Sequence, residues 1–195
     1  MNYDPNTHHR RSIRLQDYDY SQAGAYFITI CALDRKMFLG DVRNETVALS
    51  SFGQIVHDWW YRLTIRFQFV ELDAFTIMPN HFHGIIVLHD RESATPRTGA
   101  VPAPQSTNDA RANPRRGLVS KPLPNPNVQT LGQIIAYFKY LTTRDINVVT
   151  HTPGERIWQR NYYEHVIRDE KDLAEKREYI INNPLKWELD RYYVR

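Results

Sequence analysis

The segment Asn80-His81-Phe82-His83 sets two imidazoles two residues apart. Side chains along a strand alternate between faces, so His81 and His83 share one face and Phe82 takes the other. The run behind them, Gly84-Ile85-Ile86-Val87-Leu88, has the composition of a buried anchoring strand. Two imidazoles can chelate one divalent cation and leave positions open, so a third ligand is expected. His8, His9, His57, His151 and His165 have no comparable spacing to the pair, and His89 falls near the strand's exit. No obvious carboxylate ligand or general base lies near the two histidines.

An amide oxygen on the terminal helix is the better candidate. Tyr179 and Asn183 are four residues apart and so occupy one helical face, about one turn from each other. Of the twelve tyrosines only Tyr18 and Tyr179 have an amide side chain four residues on, Gln22 and Asn183, and Tyr18 sits in a polar stretch that does not read as a helix. A phenol and a metal-binding carbonyl oxygen facing one point suit nucleophilic attack on a phosphodiester. Imidazole with oxygen ligands suits Mg²⁺ or Mn²⁺, which polarises the phosphoryl oxygen while the tyrosine attacks. The residues alone also allow Tyr179 to be a half-buried packing residue beside Ile180 and Ile181.

The elements that must position these groups are legible in outline. Residues 25–33 are rich in β-formers and read as a strand. From Thr46 to Arg66, Val47, Leu49, Ile55, Val56, Trp59, Trp60 and Leu63 recur at three- and four-residue steps and predict a helix, weakened at Gly53. Residues 69–78 and 81–88 read as strands joined by a tight Met78-Pro79-Asn80 turn. Residues 130–148 carry a helical stripe, and 156–167 look extended. A last helix over 169–183 has Asp169 as N-cap, negative charge in its first turn, and Pro184 as its stop. The order predicts an α+β arrangement, an antiparallel sheet with helices packed on it.

The 195 residues suffice for one core, and 42% hydrophobic content excludes a wholly disordered chain. No apolar run reaches a membrane span, and the single cysteine, Cys31, excludes a disulfide framework or a cysteine-rich zinc site. A cytoplasmic protein with no membrane partner is expected. A net charge of +3 and a pI near 9.0 permit a nucleic-acid partner. Seven of the eleven prolines fall between Asp90 and Asn127, which reads as a mobile insertion over 90–127.

Taken together, several segments resemble the REP-associated tyrosine transposases of the single-tyrosine HUH superfamily. They are Arg11-Ser-Ile-Arg-Leu-Gln-Asp-Tyr-Asp-Tyr20, Gly24-Ala-Tyr-Phe-Ile-Thr-Ile30, Met78-Pro-Asn-His-Phe-His-Gly-Ile85, Trp158-Gln-Arg-Asn-Tyr-Tyr-Glu-His165 and Arg177-Glu-Tyr-Ile-Ile-Asn-Asn-Pro184. The resemblance implies a ferredoxin-like sheet carrying the histidines, within a single domain of residues 1–89 and 128–195. It places the nucleophile at Tyr179 and the third metal ligand at Asn183, beside His81 and His83. It further implies a nucleoid-associated monomer or homodimer that binds single-stranded or hairpin-forming repeat DNA. Such a protein cleaves and rejoins the DNA through a 5′-phosphotyrosine.

Trp158, Arg160, Tyr162, Tyr163 and His165 interleave aromatics with a cation, which suits base stacking and phosphate contact, or an aromatic strand closing the core. Arg10, Arg11 and Arg14 could grip a hairpin or remain solvated, and Lys139 and Arg144 are further candidate DNA contacts. Two rival readings stay open: a catalytically silent hairpin-binding protein, and a metal hydrolase that activates water at the histidine pair.

Overall fold

The computed structural model describes residues 18–90 and 130–193. The expected insertion over 90–127, apart from Asp90, and the three arginines Arg10, Arg11 and Arg14 lie outside the described residues. Among the described residues six strands and three α-helices run in the order β1 (Gly24–Cys31), β2 (Gly40–Arg43), β3 (Thr46–Leu49), α1 (Ser51–Arg66), β4 (Val70–Met78), β5 (His81–Leu88), α2 (Leu131–Thr150), β6 (Tyr163–Ile167) and α3 (Glu170–Asn182). Four strands form one antiparallel sheet in the order β4-β5-β1-β6, and β2 pairs with β3 as a separate hairpin. The α+β expectation matches this architecture. Among the described residues no helix is long and apolar enough to cross a membrane.

The sheet has two faces with different work. Tyr26, Ile28 and Ile30 of β1 and Phe82, Ile86 and Leu88 of β5 share one core with Val56, Trp60 and Leu63 of α1 and Ile134, Ile135 and Phe138 of α2. The alternate residues turn the other way, where Phe27, Ile85 and Ile180 of α3 form a small second cluster. That smaller face also carries His81 and His83, whose register partners on β1 are Cys31 and Thr29. Phe82 is fully buried in the core, as the strand alternation requires.

Three boundaries differ from the sequence reading. The segment 46–49 is not the start of a helix: it pairs with β2 across a two-residue turn whose Asn44 and Glu45 both have positive φ. Its apolar residues obey a two-residue period that merges into the helical stripe, and α1 begins only after Ser50, whose hydroxyl accepts from Gly53 N–H. Gly53 therefore lies in the first turn, where a Cβ would stand 2.0 Å from the Leu39 carbonyl oxygen. Of the extended stretch 156–167 only Tyr163–Ile167 joins the sheet, while Trp158 makes a single bridge to Ala32. The first strand stops at Cys31 because Leu33–Arg35 turns into a short 3-10 helix.

Gly84 faces the core between two large rings. A Cβ there would lie 2.8 Å from the Phe82 ring and 2.9 Å from Trp60, side chains whose ring centroids are 4.6 Å apart. Overpacking of this kind costs about 1–3 kcal/mol. Gly84→Ala is expected to lower the urea midpoint by that amount of stability at unchanged m-value, measured by equilibrium denaturation.

Candidate active site

Each imidazole is fixed by its inner nitrogen. His81 Nδ1 is 2.8 Å from Asn80 Oδ1, and the Asn80 amide nitrogen in turn donates to the Tyr192 carbonyl at 2.8 Å. His81 Nδ1 thus carries the proton, because the oxygen it meets can only accept. His83 Nδ1 lies 2.8 Å from the Thr29 hydroxyl, its register partner on β1. Both rings are fully buried with centroids 4.5 Å apart, and each is left with Nε2 as its outward nitrogen. His81 Nε2 is buried without a hydrogen-bond partner. Burial drives His81 down to about 4 and His83 well below the ordinary imidazole range, so both are neutral near pH 7.

The terminal helix brings the phenol to this pair. Asp169 caps α3, its side chain accepting from Asp172 N–H at 2.8 Å. Ile180 is the one fully buried residue of the helix, and polar contacts complete the docking. Arg177 grips Asp73 through Nε and Nη2, at the β-bulge where β4 gains a residue between Leu72 and Phe75. His165 Nε2 meets Asp172 Oδ2 at 2.8 Å. Tyr179 consequently lies edge-on to Phe27 and His83, with its hydroxyl 3.4 Å from His83 Nε2. Its ring is 40% exposed, open to a partner from solvent.

Asn183 does not leave helical geometry ahead of Pro184, as the sequence suggested; it holds φ −61° and ψ −44°. Pro184 instead opens the next turn, its carbonyl accepting from Trp187 N–H. The side chain of Asn183 is thereby buried near Tyr179, its Nδ2 donating to Asp190 at 2.9 Å. The remaining atom, Oδ1, is buried with no partner.

Asp190 is the group sequence reasoning missed, and it corrects the expectation that no carboxylate stands near the histidines. Ligand atoms of His81, His83 and Asp190 all lie within 4.8 Å of one another. Asp190 also accepts from Tyr179 at 3.4 Å and from Tyr192 N–H at 2.6 Å. Partial burial and the Asp190 charge hold the Tyr179 phenol up to about 12. More than a hundred residues separate Asp190 from the pair, and only the chain's return after Pro184 reveals it.

The candidate DNA contacts separate in space. Lys139 donates to the carbonyls of Gln159, Arg160 and Asn161, and burial lowers its ammonium to about 8. It is committed to holding that loop. Arg144 sits on α2 against the opposite face of the sheet, paired with Asp145 and lying over Trp59. Arg160 and Tyr163 are exposed near β1, while His165 is bound to Asp172.

The two buried neutral histidines give the fold a pH dependence. Their pKa values are lower folded than unfolded, so their contribution is complete above about 6.5 and is lost as pH falls through the folded values. The urea midpoint is expected to fall between about pH 6.5 and 4, and a His81→Asn/His83→Asn double variant to flatten that slope. A wild-type midpoint constant across this window would contradict the buried neutral pair.

No protein-family model matches the chain. An uncharacterized protein of Haemophilus influenzae (strain Rd) is 37% identical over 193 residues, covering 98% of this chain and 97% of that one. A second protein of the same strain, provisionally named a REP-associated tyrosine transposase, is 29% identical over 169 residues, covering 86% of this chain and 74% of its own. In three dimensions the chain is similar to a solved REP-associated tyrosine transposase bound to a REP hairpin. That match has a TM-score of 0.54 and 18% identity, over 89% of this chain and 73% of that one. The fold is the HUH fold.

Proposed function

We propose that the chain is a member of the REP-associated tyrosine transposase family, and that it is a metal-dependent transesterase acting on single-stranded DNA beside a hairpin. The observation that carries the reading is the meeting of the Tyr179 hydroxyl with His83 Nε2, 3.4 Å apart across 96 residues of sequence. Binding of hairpin-forming repeat DNA is supported by the solved relative, whose bound ligand is a REP hairpin.

The donor set fits a divalent cation such as Mg²⁺ or Mn²⁺. Neutral imidazoles with Nδ1 tied down offer Nε2 lone pairs, and the orphaned Asn183 Oδ1 is a neutral oxygen on the residue whose amide nitrogen binds Asp190 of the same cluster. His81, His83 and Asn183 would hold the ion, with the Asp190 carboxylate in the same cluster. A bound ion would polarise a phosphoryl oxygen.

The protein's own groups do the rest. Tyr179 Oη attacks phosphorus, the bond to the 3′ oxygen breaks, and the 5′ side stays on the protein as phosphotyrosine. The phenol is protonated at neutral pH, so its proton must leave as the new bond forms, and Asp190 Oδ2 already accepts it in a hydrogen bond. The leaving 3′ oxygen takes up a proton and departs as a free hydroxyl. One phosphoester replaces another, so the reverse attack rejoins strands without ATP.

Asp190 also supplies the carboxylate that a water-activating hydrolase would use. The two readings part at the tyrosine. With Mn²⁺ or Mg²⁺, a hairpin oligonucleotide with a single-stranded flank is expected to become covalently attached to the protein, seen as a gel shift under denaturing conditions. Tyr179→Phe removes the attacking oxygen and should abolish both adduct and cleavage, while hairpin affinity stays within about twofold. Undiminished cleavage by that variant would establish water as the nucleophile.

A further inference from the structure

The tautomer of His81 is decided near the other end of the chain. Asn80 is fully buried at the turn between β4 and β5, and that turn is pinned from two sides. The Asn80 carbonyl accepts from Ala32 N–H at 2.8 Å, and the Pro79 carbonyl accepts from the N–H groups of Phe38 and Leu39, each at 3.0 Å. The Asn80 side chain therefore leaves from a fixed point, and its two ends meet different parts of the protein.

A side-chain amide can turn over and exchange its oxygen with its nitrogen, and His81 would then have to move its proton to match. The Tyr192 carbonyl forbids this. It can only accept, so it takes Asn80 Nδ2 at 2.8 Å and leaves Oδ1 facing His81 Nδ1, also at 2.8 Å. His81 must carry its proton on Nδ1, which leaves the lone pair on Nε2.

The same contact continues into the rest of the site. Tyr192 N–H donates to Asp190 Oδ1 at 2.6 Å, so the residue whose carbonyl holds Asn80 also holds the carboxylate. The other oxygen, Asp190 Oδ2, accepts from Asn183 Nδ2 at 2.9 Å and from the Tyr179 hydroxyl at 3.4 Å. A continuous chain of hydrogen bonds runs from His81 through Asn80, the Tyr192 backbone and Asp190 to Asn183 and Tyr179. The Tyr192 ring packs on His81 beside the first of these links, with centroids 4.6 Å apart.

We propose that Asn80 is a positioning residue whose amide ties the proton of His81 and the place of Asp190 to one orientation. Its oxygen selects the His81 tautomer that can bind a cation. Its nitrogen anchors the turn that presents the proton acceptor to Tyr179. The inference rests on the transesterase reading for the roles of His81 and Asp190, yet its first consequence can be measured without metal or DNA.

The test uses the full chain. Nitrogen–proton correlation spectra of the histidine rings at pH 7, without metal or DNA, should show His81 in the Nδ1–H form alone. Asn80→Leu removes both bonds, so His81 should populate both tautomers. Its Mn²⁺ affinity, read by electron paramagnetic resonance, should fall at least about tenfold, as for other partners that orient a metal ligand. Asn80→Asp still accepts from His81 but cannot donate to Tyr192. Mn²⁺ affinity should then hold within about threefold, while the backbone amides of 190–193 exchange severalfold faster with deuterium and adduct formation slows. A His81 proton on Nε2 in the wild type overturns the proposal without recourse to variants. A merely structural asparagine would lower the urea midpoint of both variants and leave tautomer, affinity and exchange unchanged, and that result overturns it as well. Absence of Mn²⁺ binding by the wild type would instead sink the metal-dependent reading, with the tautomer measurement still deciding the role of Asn80.

Discussion

The site depends on the pairing of β5 with β1 and β4 on either side. This central position buries both faces of the histidine strand, so His81 and His83 lie in a dry environment with Phe82 locked into the opposite core. Burial alone would leave two costly polar rings. The cost is offset because Asn80 and Thr29 take the inner nitrogens, and the same bonds aim the outer nitrogens at one point. The strand ladder sets the imidazole geometry to within a rotamer, and Gly84, one step beyond His83, leaves the room that Phe82 and Trp60 fill.

The phenol is held much more lightly. α3 buries one residue, Ile180, and otherwise depends on Arg177 at the β4 bulge and Asp172 at His165. Exposed ion pairs contribute on the order of 1 kcal/mol or less each. A rigid imidazole pair facing a helix held by polar clamps suits a reaction in which the nucleophile becomes covalently attached to a long polymer.

Much of this was legible in the sequence, for reasons that can be named. His81, Phe82 and His83 obey a period of two within one strand, and Tyr179 and Asn183 share one helical face; both relations are local and survive without a model of the fold. Asp169 caps its helix as its residue type suggests. The hairpin of β2 and β3 was hidden because its turn, Asn44-Glu45, lacks the usual glycine, and because Val47 and Leu49 fit two periods at once. Lys139 reads as a DNA contact by charge alone, and only the return of the chain at 159–161 shows that its ammonium bonds three backbone carbonyls. Asp190 and Tyr192 reach the histidines across more than a hundred residues, a distance at which no spacing rule operates.

The central claim is that two buried imidazoles, an orphaned amide oxygen and a phenol converge on one point. Crystals grown with Mn²⁺ and examined by anomalous scattering test it most directly. A single strong peak about 2.0–2.4 Å from Nε2 of His81, Nε2 of His83 and Oδ1 of Asn183, with the Tyr179 hydroxyl facing it, is the result this account predicts. A peak bound elsewhere, or a Tyr179 ring turned away from the imidazoles with the ion in place, would contradict it.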